Sequence, residues 1–267
     1  MNQQVKMPGV VLNYRDVGQG EPLLFVHGFP LDCTMWQAQI DFFSKTHRCL
    51  AVDLRGFGRS SVRPGTVTME IMADDLASFL DAIRVQGPVT LCGLSMGGYV
   101  AWQFWKRYPF KLSRLIMCDT RAIADTEEGA QQRLQTADKV EREGAAFLAD
   151  SMLPKLYCEA SVKSRPELIE SARNVILTNS TSGIAAAARG MAARPDVTSW
   201  LPKIKVPTLL ITGEHDAISS VAEMKTIANA LPDARHAVIP HAGHMAPQEQ
   251  PQATNAAIQK FLGETAK

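Results

Sequence analysis

A chain of 267 residues can hold one large domain with a substantial core or two small ones, so length alone excludes little and the order of elements must decide. With 46% hydrophobic and 21% charged residues it sits near globular averages, and a formal net charge of +1 supplies no field to draw nucleic acid or anionic lipid, which favours a small neutral partner. No apolar run reaches bilayer-spanning length, Met1 to Gly9 lacks the apolar core of a signal peptide, and the five cysteines form neither an even disulfide set nor a metal-type cluster. The expectation is a soluble, cytoplasmic protein without membrane, nucleic-acid or metal partners.

Taken in chain order, short apolar and β-branched runs alternate with helical patterns. Pro22–Val26, Arg48–Val52, Val89–Cys92, Leu115–Cys118, Thr208–Thr212 and Ala237–Pro240 read as strands. Between them, Met69 to Ile83 carries Met72, Leu76, Phe79, Leu80 and Ile83 at helical spacing behind Thr68 as N-cap. A second helix runs from about Met96 to Tyr108 and stops before Pro109. A last one follows Pro251 and turns Ile258, Phe261 and Leu262 inward.

From Thr120 to Arg194 the alternation stops. Four helical pieces follow one another, over Glu127–Glu143, Gly144–Leu153, Pro166–Asn179 and Gly183–Ala193. Strands separated by helices imply an α/β fold with a mostly parallel central sheet and helices on both faces. The expected organisation is a discontinuous core, residues 1–119 and 195–267, with a helical cap over 120–194. Phe147, Leu148, Met152, Leu153, Leu156, Tyr157, Ile184 and Met191 could roof a site or simply pack cap on core.

One motif lies where chemistry would need it. Gly93-Leu94-Ser95-Met96-Gly97 is a G-x-S-x-G sequence between the strand ending at Cys92 and the helix beginning at Met96. A serine hydroxyl is a poor nucleophile at neutral pH, so it must stand on a sharp turn where an imidazole can take its proton. Small neighbours, here Gly93, Gly97 and Gly98, let strand and helix come close enough to make that turn.

Four separated motifs together resemble the α/β-hydrolase superfamily over nearly the full chain. They are His27-Gly28-Phe29-Pro30, Asp53-Leu54-Arg55-Gly56-Phe57-Gly58-Arg59-Ser60, the Ser95 turn, and Gly213-Glu214-His215-Asp216 followed by Gly243-His244. Their order, nucleophile then acid then histidine, is the one this fold uses. The resemblance implies Ser95, Asp216 and His244 as a catalytic triad, with the N–H groups of Phe29 and Met96 as oxyanion donors. Each such donor is typically worth about 3–4 kcal/mol.

Competing assignments stand beside these. Asp119 ends the preceding core strand, where some family members carry their acid. His241 is a loop neighbour of His244, and His215, His236 and His47 read as structural or solvated. His27 and the Asp53–Ser60 stretch are turn builders. Arg121 and Arg189 could meet a substrate carboxylate or be solvated.

Within the superfamily the chain is similar to the enol-lactonase and small carboxylesterase group, through Cys92 to Gly98 and the run from Met191 to Asp216. A small ester or lactone is the substrate this implies. Carbon–carbon bond or thioester hydrolysis with the same triad is the alternative, and a low-turnover receptor on the same fold is the reading from another class. Dehalogenase and epoxide hydrolase relatives place an aspartate where Ser95 stands. Neither a Walker-type loop nor a dinucleotide fingerprint nor an H-E-x-x-H pair occurs, so no cofactor is expected.

Overall fold

The chain begins with two strands that the sequence pattern does not single out. In the computed structural model, which describes residues 2–266, β1 (Asn2–Met7) and β2 (Val10–Val17) form an antiparallel hairpin around Pro8 and Gly9. Gly9 takes φ 75°, a conformation costly for other residues. β1 is an edge strand with mostly exposed polar side chains, so it offers no apolar run to detect.

Six further strands follow as expected from their apolar runs: β3 (Pro22–Val26), β4 (Arg48–Val52), β5 (Val89–Leu94), β6 (Leu112–Cys118), β7 (Thr208–Gly213) and β8 (Ala234–Ile239). The last begins three residues earlier than the sequence suggests, and β6 likewise. Among the described residues these make one eight-stranded sheet in the order β1-β2-β4-β3-β5-β6-β7-β8, antiparallel at β1/β2 and β2/β4 and parallel elsewhere. β5 and β7 are buried end to end, as strands covered on both faces must be.

The helices on the sheet are α1 (Gln37–Phe43), α2 (Met69–Ala82) and α3 (Met96–Arg107). The path from β3 through α1 to β4 moves one way across the sheet, and the path from β4 through α2 to β5 moves the other. Because parallel crossovers are right-handed, that reversal places α1 and α2 on opposite faces. It also makes the carboxyl ends of β3 and β5, which pair directly, the two sides of the switch point where open α/β sheets bind ligands.

Between β6 and β7 the chain leaves the sheet and makes five helices: α4 (Glu127–Glu143), α5 (Ala146–Leu156), α6 (Glu159–Ser164), α7 (Pro166–Thr178) and α8 (Thr181–Ala192). The helix α6 was not foreseen, and α5 continues past Pro154 where the sequence reading ends it at Leu153. α4 packs on α8 and α5 on α7. The two ends of the excursion meet: Arg194 makes a two-pronged ion pair with Asp125 and Val197 N–H donates to Ala122 O. Arg133 joins Asp125, and the Arg194 guanidinium lies 4.3 Å from the Tyr99 ring centre. Burial opposes the charge of Asp125, but the two arginines outweigh it and hold its carboxyl below the usual range.

The chain closes with α9 (Val221–Ala230), the short α10 (Ala246–Glu249) and α11 (Pro251–Glu264), whose Ile258, Phe261 and Leu262 are buried as expected. All five cysteines are buried free thiols. No helix of the described residues is long and apolar enough to cross a membrane.

A single buried side chain fastens the inserted helices to two loops of the sheet. Asn179, just after α7, donates from Nδ2 to Pro30 O at 2.9 Å and accepts from Gly58 N–H at 2.6 Å. Its replacement by alanine strands both backbone groups, and we expect Asn179→Ala to cost about 1–3 kcal/mol in urea unfolding.

Candidate active site

Ser95, Asp216, His244 and Phe29 all lie beyond the carboxyl ends of the parallel strands. Ser95 follows β5 directly, Asp216 lies in the loop after β7, His244 in the loop after β8, and Phe29 in the loop after β3.

Ser95 has φ 54° and ψ −111°, a strained turn conformation in which the side chain stands clear of both strand and helix. It is held from three sides. Its N–H donates to Cys118 O, its carbonyl accepts from Gly98 N–H, and Thr120 Oγ1 donates to the same carbonyl at 2.8 Å. The turn is possible because Gly97 has no side chain: a Cβ there would collide with the Val26 carbonyl oxygen. Ser95 is partly exposed, whereas Met96 beside it is buried.

Asp216 and His244 meet directly. His244 Nδ1 donates to Asp216 Oδ2 at 2.9 Å, so the proton of the neutral imidazole sits on Nδ1 and Nε2 keeps its lone pair. The carboxylate has three further donors: Ile218 N–H at 2.7 Å and Ser219 N–H at 3.1 Å on Oδ1, and Ser219 Oγ at 2.6 Å on Oδ2. Burial opposes the charge of Asp216, but His244 and these donors hold its carboxyl below the ordinary value.

Asp119, the competing acid, lies in a different environment. It is fully buried at φ 46°, its Oδ1 accepts from Gly213 N–H at 2.7 Å, and its Oδ2 has no partner among the described residues. Burial first, and then the negative charge of Asp216, push its carboxyl well above the carboxylate range. The two neighbouring carboxyls are thus shifted in opposite directions.

His27 cannot serve as a base, since both ring nitrogens are in use. Nδ1 donates to Gly28 O at 2.9 Å, and Nε2 accepts from Leu54 N–H at 3.0 Å, which joins the loops after β3 and β4. Burial keeps this imidazole below its ordinary pKa. Asp53 is likewise structural, accepting from Asn13 Nδ2, Cys33 N–H and Arg59 N–H. Among the described residues no protein group accepts from the N–H of Phe29 or Met96, so both remain free. Arg121 pairs with Glu223, and Arg189 with Asp138 and Glu141, so neither is a free cation.

Sequence reasoning missed Ser219, Thr120 and Glu249. Ser219 has a local signal, because an aspartate followed by a serine three positions on is a recurrent loop-closing pair. Glu249 has none: its buried carboxylate takes Gly243 N–H on Oε1 at 2.7 Å and Cys158 N–H on Oε2 at 2.9 Å. It thereby ties the His244 loop to the inserted helices. His236 meets Thr212 Oγ1 behind β7 and β8, while His215 and His241 stand exposed at the rim with Glu214.

The chain belongs to the family described as the alpha/beta hydrolase fold, whose model matches residues 21–251. Within it the chain falls with enzymes of the esterase and enol-lactonase type. A structure of a thermophilic esterase from Thermogutta terrifontis, with malate bound, matches with a TM-score of 0.97 at 45% identity over 100% of both chains. The enol-lactonase of Burkholderia xenovorans LB400 matches with a TM-score of 0.91 at 28% identity, covering 98% of this chain and 100% of that one. The 3-oxoadipate enol-lactonase 2 of Acinetobacter baylyi is 27% identical over 95% of this chain and 93% of its own length.

The state of Asp119 can be read from stability. Above the ordinary carboxyl value of 3.8 the unfolded chain ionises this group while burial holds the proton on the folded one to higher pH, so wild-type stability from this source falls as pH rises. Asparagine tolerates the left-handed backbone and copies the neutral acid. Urea midpoints should therefore show Asp119→Asn gaining on wild type from about pH 4 to about pH 7. A difference that shrinks over that range would mean an ionised Asp119.

Proposed function

We propose that this enzyme is a serine hydrolase that cleaves a small carboxylic ester or lactone through an acyl-enzyme on Ser95. The observation that carries the reading is the hydrogen bond from His244 Nδ1 to the charged Asp216, which sets the imidazole in the tautomer a general base needs. Ser95 on its strained turn is the nucleophile, and Asp216 orients His244 and stabilises the imidazolium.

The steps follow from those roles. His244 Nε2 takes the Ser95 proton as Oγ attacks the carbonyl carbon. The tetrahedral oxyanion is met by the N–H groups of Phe29 and Met96. Collapse breaks the bond to the leaving oxygen, which takes the proton from His244 and departs as an alcohol; in a lactone it stays attached to the acyl chain. Water, deprotonated by the same imidazole, then attacks the acyl-enzyme and frees the acid. The oxyanion donors favour the transition state because the full charge exists only there.

The helices α4 to α8 act as a cap, with residues 120–194 as the cap and 1–119 and 195–267 as the core. Their bonds to Pro30, Gly58 and the His244 loop support this division, because they seat the insertion against the loops that carry the reactive groups. The esterase and enol-lactonase relatives support carboxylic esters and lactones as the substrate class. Five buried free thiols suit a reducing, cytoplasmic setting.

The test is a panel of short-chain aryl esters, lactones, thioesters and vinylogous diketones, with mass spectrometry for an acyl adduct on Ser95. Ester or lactone turnover should fall by roughly 10⁴–10⁶-fold in Ser95→Ala and by about 10⁴-fold in Asp216→Asn. Turnover of the diketone alone would shift the reading to carbon–carbon cleavage. Saturable ligand binding without turnover of any substrate would make the protein a receptor.

A further inference from the structure

Outside the catalytic cluster, the structure gathers three metal-ligating side chains from two different loops. Glu214 and His215 follow β7 and His241 follows β8, and one donor atom from each lies within 4.8 Å of the other two. We propose that Glu214, His215 and His241 form a site for a divalent transition metal of the zinc class, on the rim of the loops that carry Asp216 and His244.

The donor set selects the metal. Two imidazoles and one carboxylate suit zinc, copper, nickel or cobalt ions, and suit calcium or magnesium poorly, since those ions prefer oxygen ligands. Zinc bonds of about 2.0–2.1 Å place tetrahedral donors roughly 3.4 Å apart. His215 Nε2 already stands 3.6 Å from Glu214 Oε2. All three side chains are exposed, so the remaining closure needs only rotamer adjustment. Water would fill the fourth position.

The backbone beneath the donors is already fixed. Glu214 N–H donates to Ile239 O at 2.9 Å, His215 N–H to Ala242 O at 2.8 Å, and His241 N–H to Glu214 Oε2 at 3.1 Å. The loops are therefore registered before any ion arrives, and binding orders side chains without ordering backbone. His241 has φ 55°, an unusual conformation for a non-glycine residue, and its ring lies with Glu214 and His215 of the other loop. A bound ion would cross-link the segment one residue before Asp216 to the segment three residues before His244. This site does not depend on the catalytic reading.

The experiment titrates Zn²⁺ into tag-free, EDTA-treated full-length protein by calorimetry, and records the visible spectrum with Co²⁺ as a report on ligation. We expect one ion per chain and a melting temperature that rises with zinc. His215→Ala and His241→Asn should each weaken binding by about tenfold or more and abolish the zinc-dependent rise. Asparagine keeps the left-handed backbone at position 241, and melting in EDTA confirms that each variant is folded. His47→Gln, on the far side of the sheet's strand ends, should bind as wild type does. Unchanged affinity and stoichiometry in both rim variants would overturn the proposal. So would zinc binding that is lost in His244→Gln yet retained in His215→Ala and His241→Asn, since the ion would then sit on the catalytic imidazole.

Discussion

The carboxyl edge of the sheet depends on how one buried charge is accommodated. Moving a carboxylate out of water costs several kcal/mol unless its lone pairs are met. Asp216 receives four donors, from Ile218 N–H, Ser219 N–H, Ser219 Oγ and His244 Nδ1. Three of them come from its own loop and precede any chemistry, so the carboxylate is oriented whether or not His244 is protonated. Asp119, fully buried with one backbone donor and a charged neighbour, is pushed the other way, toward its neutral form. Two acids at adjacent strand ends are thereby shifted in opposite directions, Asp119 upward by burial and the charge of Asp216, and Asp216 downward by His244 and its other donors against its own burial.

The sheet's strand order supplies the other half of the site. β3 and β5 are neighbours in space although β4 and α2 lie between them in sequence, and the reversal brings the Phe29 loop beside the Ser95 turn. The approach is close enough that Gly97 packs on the Val26 carbonyl, so the same missing side chain that permits the turn also seats it against the loop with the second free N–H. Ser95 and the free N–H groups of Phe29 and Met96 are then positioned by one packing contact.

Much of this was legible in the residues. Helices with a clear apolar stripe, such as α2 behind Thr68, and strands with continuous β-branched runs announce themselves locally. So does the Ser95 turn, because its glycines answer a steric demand that spans only a few positions. The β1–β2 hairpin was not legible, since an edge strand of Gln3, Gln4 and Lys6 looks like any polar segment until its partner is known. Ser219 shows locally only as a serine three positions after an aspartate, and that it supplies two of the four donors to the Asp216 carboxylate appears only in the structure. The rim cluster of Glu214, His215 and His241 falls in the same class. His241 lies 26 positions beyond His215 along the chain, and the β7–β8 pairing makes them neighbours.

Glu249 carries this dependence on distant parts furthest. The loop with His244 is tied to the inserted helices by Met245 N–H, which donates to Leu156 O at the end of α5, and by Glu249, which bridges Gly243 N–H to Cys158 N–H. Tyr157, between those two anchor points, adds a hydroxyl bond to Gln248. The imidazole's loop is therefore bonded to the inserted helices at three successive residues, from 156 to 158. A change in how α5 sits against the core would be felt first at His244, while Ser95, held by β5, β6 and α3, would keep its place. In the proposed mechanism the cap is thus mechanically joined to the base, and the nucleophile belongs to the rigid sheet.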